Sequence, residues 1–179
     1  MPTGLSNKLA GQTGEYLVCA ELGRRGMIAT TFTGNVPEYD LLVCDDSLNT
    51  VPIQVKTTRG GNWPTRADLW LDIEFDHEAK KQINNGSRKI NHPDLIFVCV
   101  AMSSEQGRDR FFICRKSDIQ TVCIATYSRW MDPIDWRRPR NYESLDNRYA
   151  VSDLLRFENN WDIITDRLKK QGVHDASSA

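Results

Sequence analysis

Long apolar runs are absent from this chain of 179 residues. The longest run, Leu95–Met102, has the length of a β-strand and falls well short of the roughly 18 residues that a membrane-spanning helix needs. The first residues, MPTGLSNK, lack the charged start and apolar core of a secretion signal. We therefore expect no membrane association.

Cysteine and histidine are scarce and poorly spaced for structural chemistry. The five cysteines contain no Cys-x-x-Cys pair, and the three histidines are scattered. These absences argue against a disulfide framework and a structural zinc site. The glycine-rich motifs GxxxxGK[ST] and GxGxxG of nucleotide-binding folds are also missing. We expect a reducing, cytoplasmic setting.

Neither sign of charge dominates, since 23 Lys and Arg residues face 24 Asp and Glu residues. One segment differs, because residues 108–140 carry eight basic and four acidic side chains. Phosphate binding requires local positive potential rather than a high overall isoelectric point. The segment is a candidate for phosphate contacts, and a solvated surface of mixed charge is the alternative.

Length and composition indicate one globular domain. The mass is 20.5 kDa, with 40% hydrophobic and 26% charged residues, which suits a chain that buries a full core without metal or disulfide support. We predict a single domain over residues 1–172 and a disordered tail over 173–179.

Residue patterns predict alternating helices and strands. Ser117 is predicted to cap a helix that runs toward Tyr127. The other predicted helices cover 5–25, 77–84 (short) and 159–171, and the predicted strands cover 27–33, 39–44, 51–57, 95–102 and 110–114, with 68–75 as a candidate for an extra strand. The order α-β-β-β-α-β-β-α indicates an α/β fold, with α+β as the alternative, and a central mixed β-sheet flanked by helices.

Polar side chains gather on one face of the strand 51–57. Alternation places Gln54 and Lys56 on the face opposite the apolar residues. An antiparallel hairpin with its turn near 45–49 brings Asp40 close to residues 54–56. The pattern predicts a patch with a carboxylate, an amide and an ammonium group, and a solvated strand face is the alternative.

Glu15 is the second carboxylate that points toward protein. Its neighbours at helical spacing are Val18, Cys19 and Leu22, which form an apolar stripe. An inward carboxylate must be paired, protonated or bound to a metal. The structural alternative is an ion pair between Glu15 and Lys56.

Two carboxylates, a strand-borne amide and a lysine suit a hard metal ion. Mg²⁺ prefers oxygen ligands, keeps several waters and commonly binds through one or two carboxylates plus substrate phosphate. A lysine at such a site can position water or neutralise charge on the phosphate. The residues therefore favour phosphate chemistry with Mg²⁺, for which Mn²⁺ can substitute.

Three segments carry a resemblance to a known superfamily: GQTGEYLVCAELGRRG at 11–26, EYDLLV at 38–43 and IQVKTT at 53–58. Together they resemble the PD-(D/E)XK nucleases, in the QxK form found in group I intron-associated homing endonucleases and Mrr-type restriction enzymes. Archaeal Holliday-junction resolvases resemble the chain more distantly. The resemblance covers about residues 8–59 and implies a restriction-endonuclease-like core.

The resemblance also implies roles for individual residues. Asp40 matches the obligatory metal ligand, and Glu15 matches an accessory contact on the first helix. Gln54 stands where most members have Asp or Glu. Lys56 matches the lysine near the nucleophilic water, and the carbonyl group of Val55 is expected to face the metal.

Arginines and aromatic residues alternate over residues 130–142. Arginines can bind phosphates and aromatic rings can stack on unpaired bases. We predict nucleic-acid contacts for four residues: Arg59, Arg137, Arg138 and Arg140. The alternative is a connection pinned to the core by its tryptophans. A second candidate rim, or a solvated helix face, contains Lys80, Lys81, Arg88 and Lys89.

These observations predict a Mg²⁺-dependent nuclease that hydrolyses phosphodiester bonds in DNA. The alternatives are a catalytically inactive nucleic-acid-binding module of the same fold and a protein-interaction domain. Because a bare catalytic core often needs symmetry to place two sites on two strands, we expect a homo-oligomer.

Overall fold

A computed structural model describes residues 4–32, 36–105 and 107–176. The helices are α1 (Gly4–Arg24), α2 (Lys116–Met131), α3 (Val151–Leu154) and α4 (Asp162–Ala176). The strands are β1 (Ile28–Thr31), β2 (Leu41–Cys44), β3 (Thr50–Thr58), β4 (Asn62–Arg66), β5 (Leu71–Asp76), β6 (Lys81–Ser87), β7 (Ile96–Ala101), β8 (Arg110–Arg115) and β9 (Asp146–Ala150). Short 3₁₀ turns cover Ala67–Leu69, Asp132–Ile134 and Leu155–Phe157.

The centre of the molecule is a five-stranded mixed sheet in the order β1-β2-β3-β7-β8. Strands β3 and β7 run parallel, and the other neighbouring pairs are antiparallel. The predicted α/β architecture, a central mixed sheet flanked by helices, is confirmed. This arrangement is consistent with a restriction-endonuclease-like core.

Each face of the sheet packs against its own apolar cluster. The buried side chains of β3 join α1 and α4 on one face. On the other face, β7 and β8 contribute Phe97, Cys99, Phe112 and Cys114 to a cluster with α2 and β4. Strand β7 reads as a continuous apolar run because it is buried on both sides.

The predicted short helix over 77–84 is wrong. Strands β5 and β6 form an antiparallel hairpin there, and the carboxylate of Asp76 accepts a hydrogen bond from the Ala79 backbone N–H at 2.8 Å in its turn. The helix-favouring residues Glu78, Ala79 and Lys80 are too few to nucleate a helix. Cross-strand pairing and the burial of Gln82 determine the conformation instead.

The boundaries of helices α2 and α4 differ from the predicted ones. Ser117 lies inside α2 rather than capping it, because the Asp118 carboxylate accepts the Arg115 backbone N–H at 2.8 Å. Helix α4 continues to Ala176, since a single glycine costs a helix only about 1 kcal/mol. The expected tail thus begins within this helix, and 177–179 lie outside the described residues. The single domain over 1–172 stays a prediction.

Helix α1 approaches β3 most closely at Gly14. A Cβ atom at this position would lie 1.8 Å from Thr57 Oγ1 and 2.9 Å from Thr57 Cβ, whereas one at Gly11 or Gly23 would meet nothing within 4 Å. We expect Gly14→Ala to destabilise the protein by about 1–3 kcal/mol through overpacking. Gly11→Ala and Gly23→Ala should stabilise it by about 0.5–1 kcal/mol. Urea unfolding of the three variants checks this, and equal stabilities would contradict the close approach.

Candidate active site

Strand β2 begins at Leu41, one residue after Asp40. Because β2 extends no further toward Asp40, part of strand β3 has no backbone partner on that side among the described residues. The register pairs Leu41 with Ile53, and the Asp40 N–H still donates to the Ile53 carbonyl at 2.8 Å. Strand β3 continues beyond that point to Thr58. The Asp40 carboxylate accepts the Val55 backbone N–H at 2.7 Å, so a side chain continues the hydrogen bonding where the neighbouring strand is missing.

Gln54 and Asp40 are in direct contact. The Gln54 side-chain amide donates a hydrogen bond to the same Asp40 oxygen that accepts the Val55 N–H. Both side chains are half-buried. The hairpin therefore brings three of the predicted site residues together, as the sequence pattern indicated.

Lys56 lies two residues further along β3, with its side chain exposed. Its backbone carbonyl accepts a hydrogen bond from the Trp63 indole N–H at 2.8 Å. The ion pairs among the described residues include none made by Lys56. The backbone is therefore held by the sheet and by Trp63, while the ammonium group is available to a ligand.

Glu15 reaches the site from α1, on the turn that packs against β3 at Gly14. Partial burial raises the pKa of its carboxyl group, and the negative charge of Asp40 raises that pKa further. The described ion pairs do not include one between Glu15 and Lys56, so the structural alternative is not found. Two carboxylates thus lie close together, an arrangement that a cation would stabilise.

The donor set fits a magnesium ion with few protein ligands. Among residues 4–32, 36–105 and 107–176, no group of three or more His, Cys, Asp or Glu side chains could hold a metal ion. Glu15 and Asp40 supply two carboxylates, and Gln54 and the Val55 carbonyl supply neutral oxygens. Mg²⁺ commonly takes one or two carboxylates and keeps water for its other positions. The Gln54 nitrogen faces Asp40 in the structure, whereas a metal ligand would offer its oxygen.

The arginines of the 130–142 segment do not line the cleft beside Lys56, although Arg138 donates a hydrogen bond to the backbone carbonyl of Asp146, a residue of the cleft wall, at 3.2 Å. Arg138 is bonded within the protein, because it donates to the Ser144 hydroxyl at 2.8 Å and lies 4.2 Å from the ring centre of Trp130. Arg137 is exposed and pairs with Asp135 at 3.5 Å. Arg140 is exposed beside Trp130. Arg59 is exposed just after β3.

Gln54 and Lys56 open onto a cleft of about 890 Å³ that the sequence did not reveal. Its walls include residues from β4, the end of the β5–β6 hairpin and the start of α2. Arg88 and Lys89, for which the sequence offered a second rim or a solvated helix face, lie in this wall. Arg66 was not singled out in the sequence, and Lys116 was included only as a member of the basic segment 108–140, because only tertiary packing places these residues beside β3.

Comparisons with known proteins give structural likenesses only. No protein-family model matches the chain, and no curated protein matches it. A solved structure of the bacterial homing endonuclease I-Ssp6803I shares 15% identity, covers 95% of this chain and 98% of its own, and has a TM-score of 0.48. Hjc, a Holliday junction resolvase from Archaeoglobus fulgidus, shares 13% identity over 81% of this chain and 92% of its own, with a TM-score of 0.36.

One neighbour is an endonuclease and the other a resolvase, and because both TM-scores are below 0.5, the fold of this chain rests on its own topology and the candidate site on its own geometry. Among the described residues, no helix is long and apolar enough to cross a membrane.

Proposed function

We propose that this protein is a metal-dependent endonuclease that hydrolyses phosphodiester bonds in DNA. The observation that carries the proposal is the contact of Asp40 with Gln54 and the Val55 N–H, next to Lys56, which forms none of the ion pairs among the described residues. Glu15 supplies a second carboxylate near Asp40, since the charge of Asp40 contributes to the raised pKa of the Glu15 carboxyl group. Together these groups can bind a cation and a phosphate side by side.

Each side chain has a distinct task in this proposal. Asp40 and Glu15 provide the negative charge that binds Mg²⁺ or its substitute Mn²⁺, with Gln54 and the Val55 carbonyl as neutral ligands. When bound, the metal lowers the pKa of a coordinated water and offsets negative charge on the phosphate. The Lys56 ammonium orients the attacking water and stabilises the charge that develops on the phosphate oxygens.

One observation favours a second candidate, a nucleic-acid-binding protein that does not cleave. Gln54 is neutral, and its amide nitrogen already donates to Asp40. Such a site holds one negative charge fewer than a carboxylate would give, which weakens its attraction for a cation. Binding of DNA without cleavage in Mg²⁺ or Mn²⁺ would select this candidate.

Cleavage of plasmid DNA tests the proposal. We expect the wild-type protein to cut DNA in Mg²⁺ or Mn²⁺ and not in EDTA, and Asp40→Asn to be inactive while it stays folded. Equal activity of the wild-type protein and Asp40→Asn would contradict the proposed site. No affinity for DNA at low salt would instead indicate a protein-interaction domain.

Arg59, Arg137 and Arg140 are proposed as outer phosphate contacts. Arg137→Ala with Arg140→Ala should weaken DNA binding and lower the slope of log K against log salt by up to about 2, at roughly 0.9 per contact. Arg138→Ala should instead lower stability by about 0.5–1.5 kcal/mol, because it removes the hydrogen bonds of Arg138 to the Ser144 hydroxyl and the Asp146 carbonyl. Salt titrations and urea unfolding check both results. An unchanged slope would show that Arg137 and Arg140 do not contact DNA.

We further infer a homo-oligomer in a reducing, cytoplasmic setting. The part of the chain that the structure describes offers one candidate site, while a duplex has two strands to cut. The five cysteines are free, which suits a reducing setting. Analytical ultracentrifugation tests the oligomer, and a monomer at all concentrations would contradict it.

A further inference from the structure

The cleft beside Lys56 is lined mainly by basic side chains, although the formal net charge of the protein is −1. Acidic residues are fewer there, namely Glu38 and Asp146. The basic residues that line the cleft are Lys56, Arg66, Arg88, Lys89 and Lys116. A concave surface lined mainly by one sign of charge concentrates ligands of the opposite sign.

The two arginines of the cleft are already engaged by Asp68. Arg66 forms a two-point contact with its carboxylate, at 3.0 and 2.9 Å. Arg88 donates to its backbone carbonyl at 2.7 Å. These contacts fix the wall of the cleft and neutralise Arg66.

Lys56, Lys89 and Lys116 differ from these arginines, because the ion pairs among the described residues include none of them. Three ammonium groups therefore line one cleft without a close ion pair to any described residue, and they outnumber its two carboxylates, Glu38 and Asp146. Their mutual repulsion is relieved when an anion with several negative charges binds between them.

Rigid elements hold Lys89 and Lys116. The Arg88 N–H donates to the Trp70 carbonyl at 2.9 Å, and the Gln120 side chain donates to the Arg88 carbonyl at 2.7 Å, which ties the end of the hairpin to α2. The Lys116 N–H donates to the Leu95 carbonyl at 2.9 Å. The chain positions of the two lysines are thus fixed relative to β3 before any ligand arrives.

The aromatic residues of the cleft are unsuited to base stacking. Trp70, Phe97 and Tyr149 are only 8%, 5% and 4% exposed, because they belong to the apolar cluster beneath. Stacking requires an accessible ring face. The cleft therefore offers charge to a phosphate chain and no aromatic surface to bases.

We infer that this cleft binds the sugar–phosphate backbone of the substrate, with Lys89 and Lys116 on phosphates that neighbour the one at Lys56. The inference rests on the proposed function and names the surface on which the nucleic acid lies. Contacts of this kind position the substrate and carry no sequence information. No residue of the 130–142 segment lines this cleft.

A charge-matched pair of double variants tests the inference. Lys89→Gln with Lys116→Gln removes two cations from the cleft. Lys8→Gln with Lys169→Gln removes two exposed cations from α1 and α4, the helices on the other face of the sheet. Binding of a labelled DNA duplex in EDTA is measured against salt, with a single-stranded oligonucleotide in parallel.

The cleft variant should lose roughly tenfold or more in duplex affinity, and its salt slope should fall by about 1.8 for two lost contacts, or about 1.4 on the single strand. The control variant should keep the wild-type slope. Equal slopes in both variants, with a wild-type protein that cleaves DNA, would overturn the inference and leave the proposed function standing. A wild-type protein that neither binds nor cleaves DNA would overturn both.

Discussion

Lys56→Ala is expected to slow DNA cleavage by at least about 10²–10³-fold, the range seen when one preorganised donor to a developing charge is removed. The ammonium group is exposed and forms no ion pair among the described residues, so its loss leaves no buried partner unsatisfied. The melting temperature should therefore stay at the wild-type value. DNA binding should persist, because Lys56 is one of several cations along the substrate.

The matched control is Lys169→Ala, which removes an exposed lysine from α4. We expect it to cleave DNA like the wild-type protein. Rates for both variants come from a plasmid-nicking assay in Mg²⁺ and Mn²⁺. A Lys56→Ala protein with wild-type activity would refute the proposed mechanism.

Glu15→Gln is expected to weaken metal binding more than the loss of a usual accessory residue would. Because Gln54 contributes no charge, the site depends on Glu15 and Asp40 for both of its negative charges. The isostere removes one of them and keeps the shape of the side chain. Metal affinity is measured by Mn²⁺ titration, with Glu21→Gln as the control, since Glu21 lies on the same helix and pairs with Arg24 and Arg25.

The same variant has a distinct stability signature. The pKa of Glu15 is raised above its ordinary value of 4.5, first by burial and then by Asp40. The folded protein thus holds this proton more tightly than the unfolded chain, and metal-free stability falls as pH rises from 4.5 through the raised pKa. The Glu15→Gln variant should not show this decrease of metal-free stability with rising pH, because its amide does not ionise.

Thermal melts at mildly acidic and at neutral pH, with and without Mn²⁺, separate the two possible roles of Glu15. Without metal at neutral pH, the variant should melt within about 2–4 °C of the wild-type protein or above it, the shift that 1 kcal/mol produces in a chain of this size. The stabilisation by Mn²⁺ should be lost. A large destabilisation that is equal with and without Mn²⁺ would contradict the metal-ligand role.

The hairpin and its polar patch could be predicted because their determinants are local. The alternation in β3 separates Gln54 and Lys56 from the apolar face, and the turn at 45–49 sets the register that brings Asp40 across. One further feature needed the structure. Asp40 meets Val55 because β2 begins at Leu41 and leaves a backbone N–H of β3 for a side chain.

The second layer could not be predicted, because its strands depend on distant partners. Strand β6 contains two asparagines and a glycine, and β4 contains Pro64, so neither has strong β-propensity. Strand β4 pairs with β9, which lies far along the chain. Gln82 is buried because its side chain donates to the Tyr142 and Ser144 carbonyls. Such polar strands are stabilised by tertiary contacts that no local pattern encodes.

The roles of the basic residues also could not be predicted from the sequence alone. Arg137, Arg138 and Arg140 look equivalent in sequence, yet Arg138 is bonded to Ser144 and to the Asp146 carbonyl. Lys89 and Lys116 belong to two separate basic stretches of the sequence, yet they share a cleft with Lys56. Counting charges in the sequence locates a basic segment. Phosphate binding depends instead on which basic side chains line a concave surface without an ion pair to the protein, and only the structure shows this.

The most direct test is a crystal structure of the wild-type protein soaked in Mn²⁺, with data collected for the anomalous signal of manganese. We expect a peak at the Asp40 carboxylate, with Glu15 as a second ligand and the Gln54 amide turned so that its oxygen faces the ion. A fully ordered site in which Gln54 still donates to Asp40 and no anomalous peak appears would contradict the account.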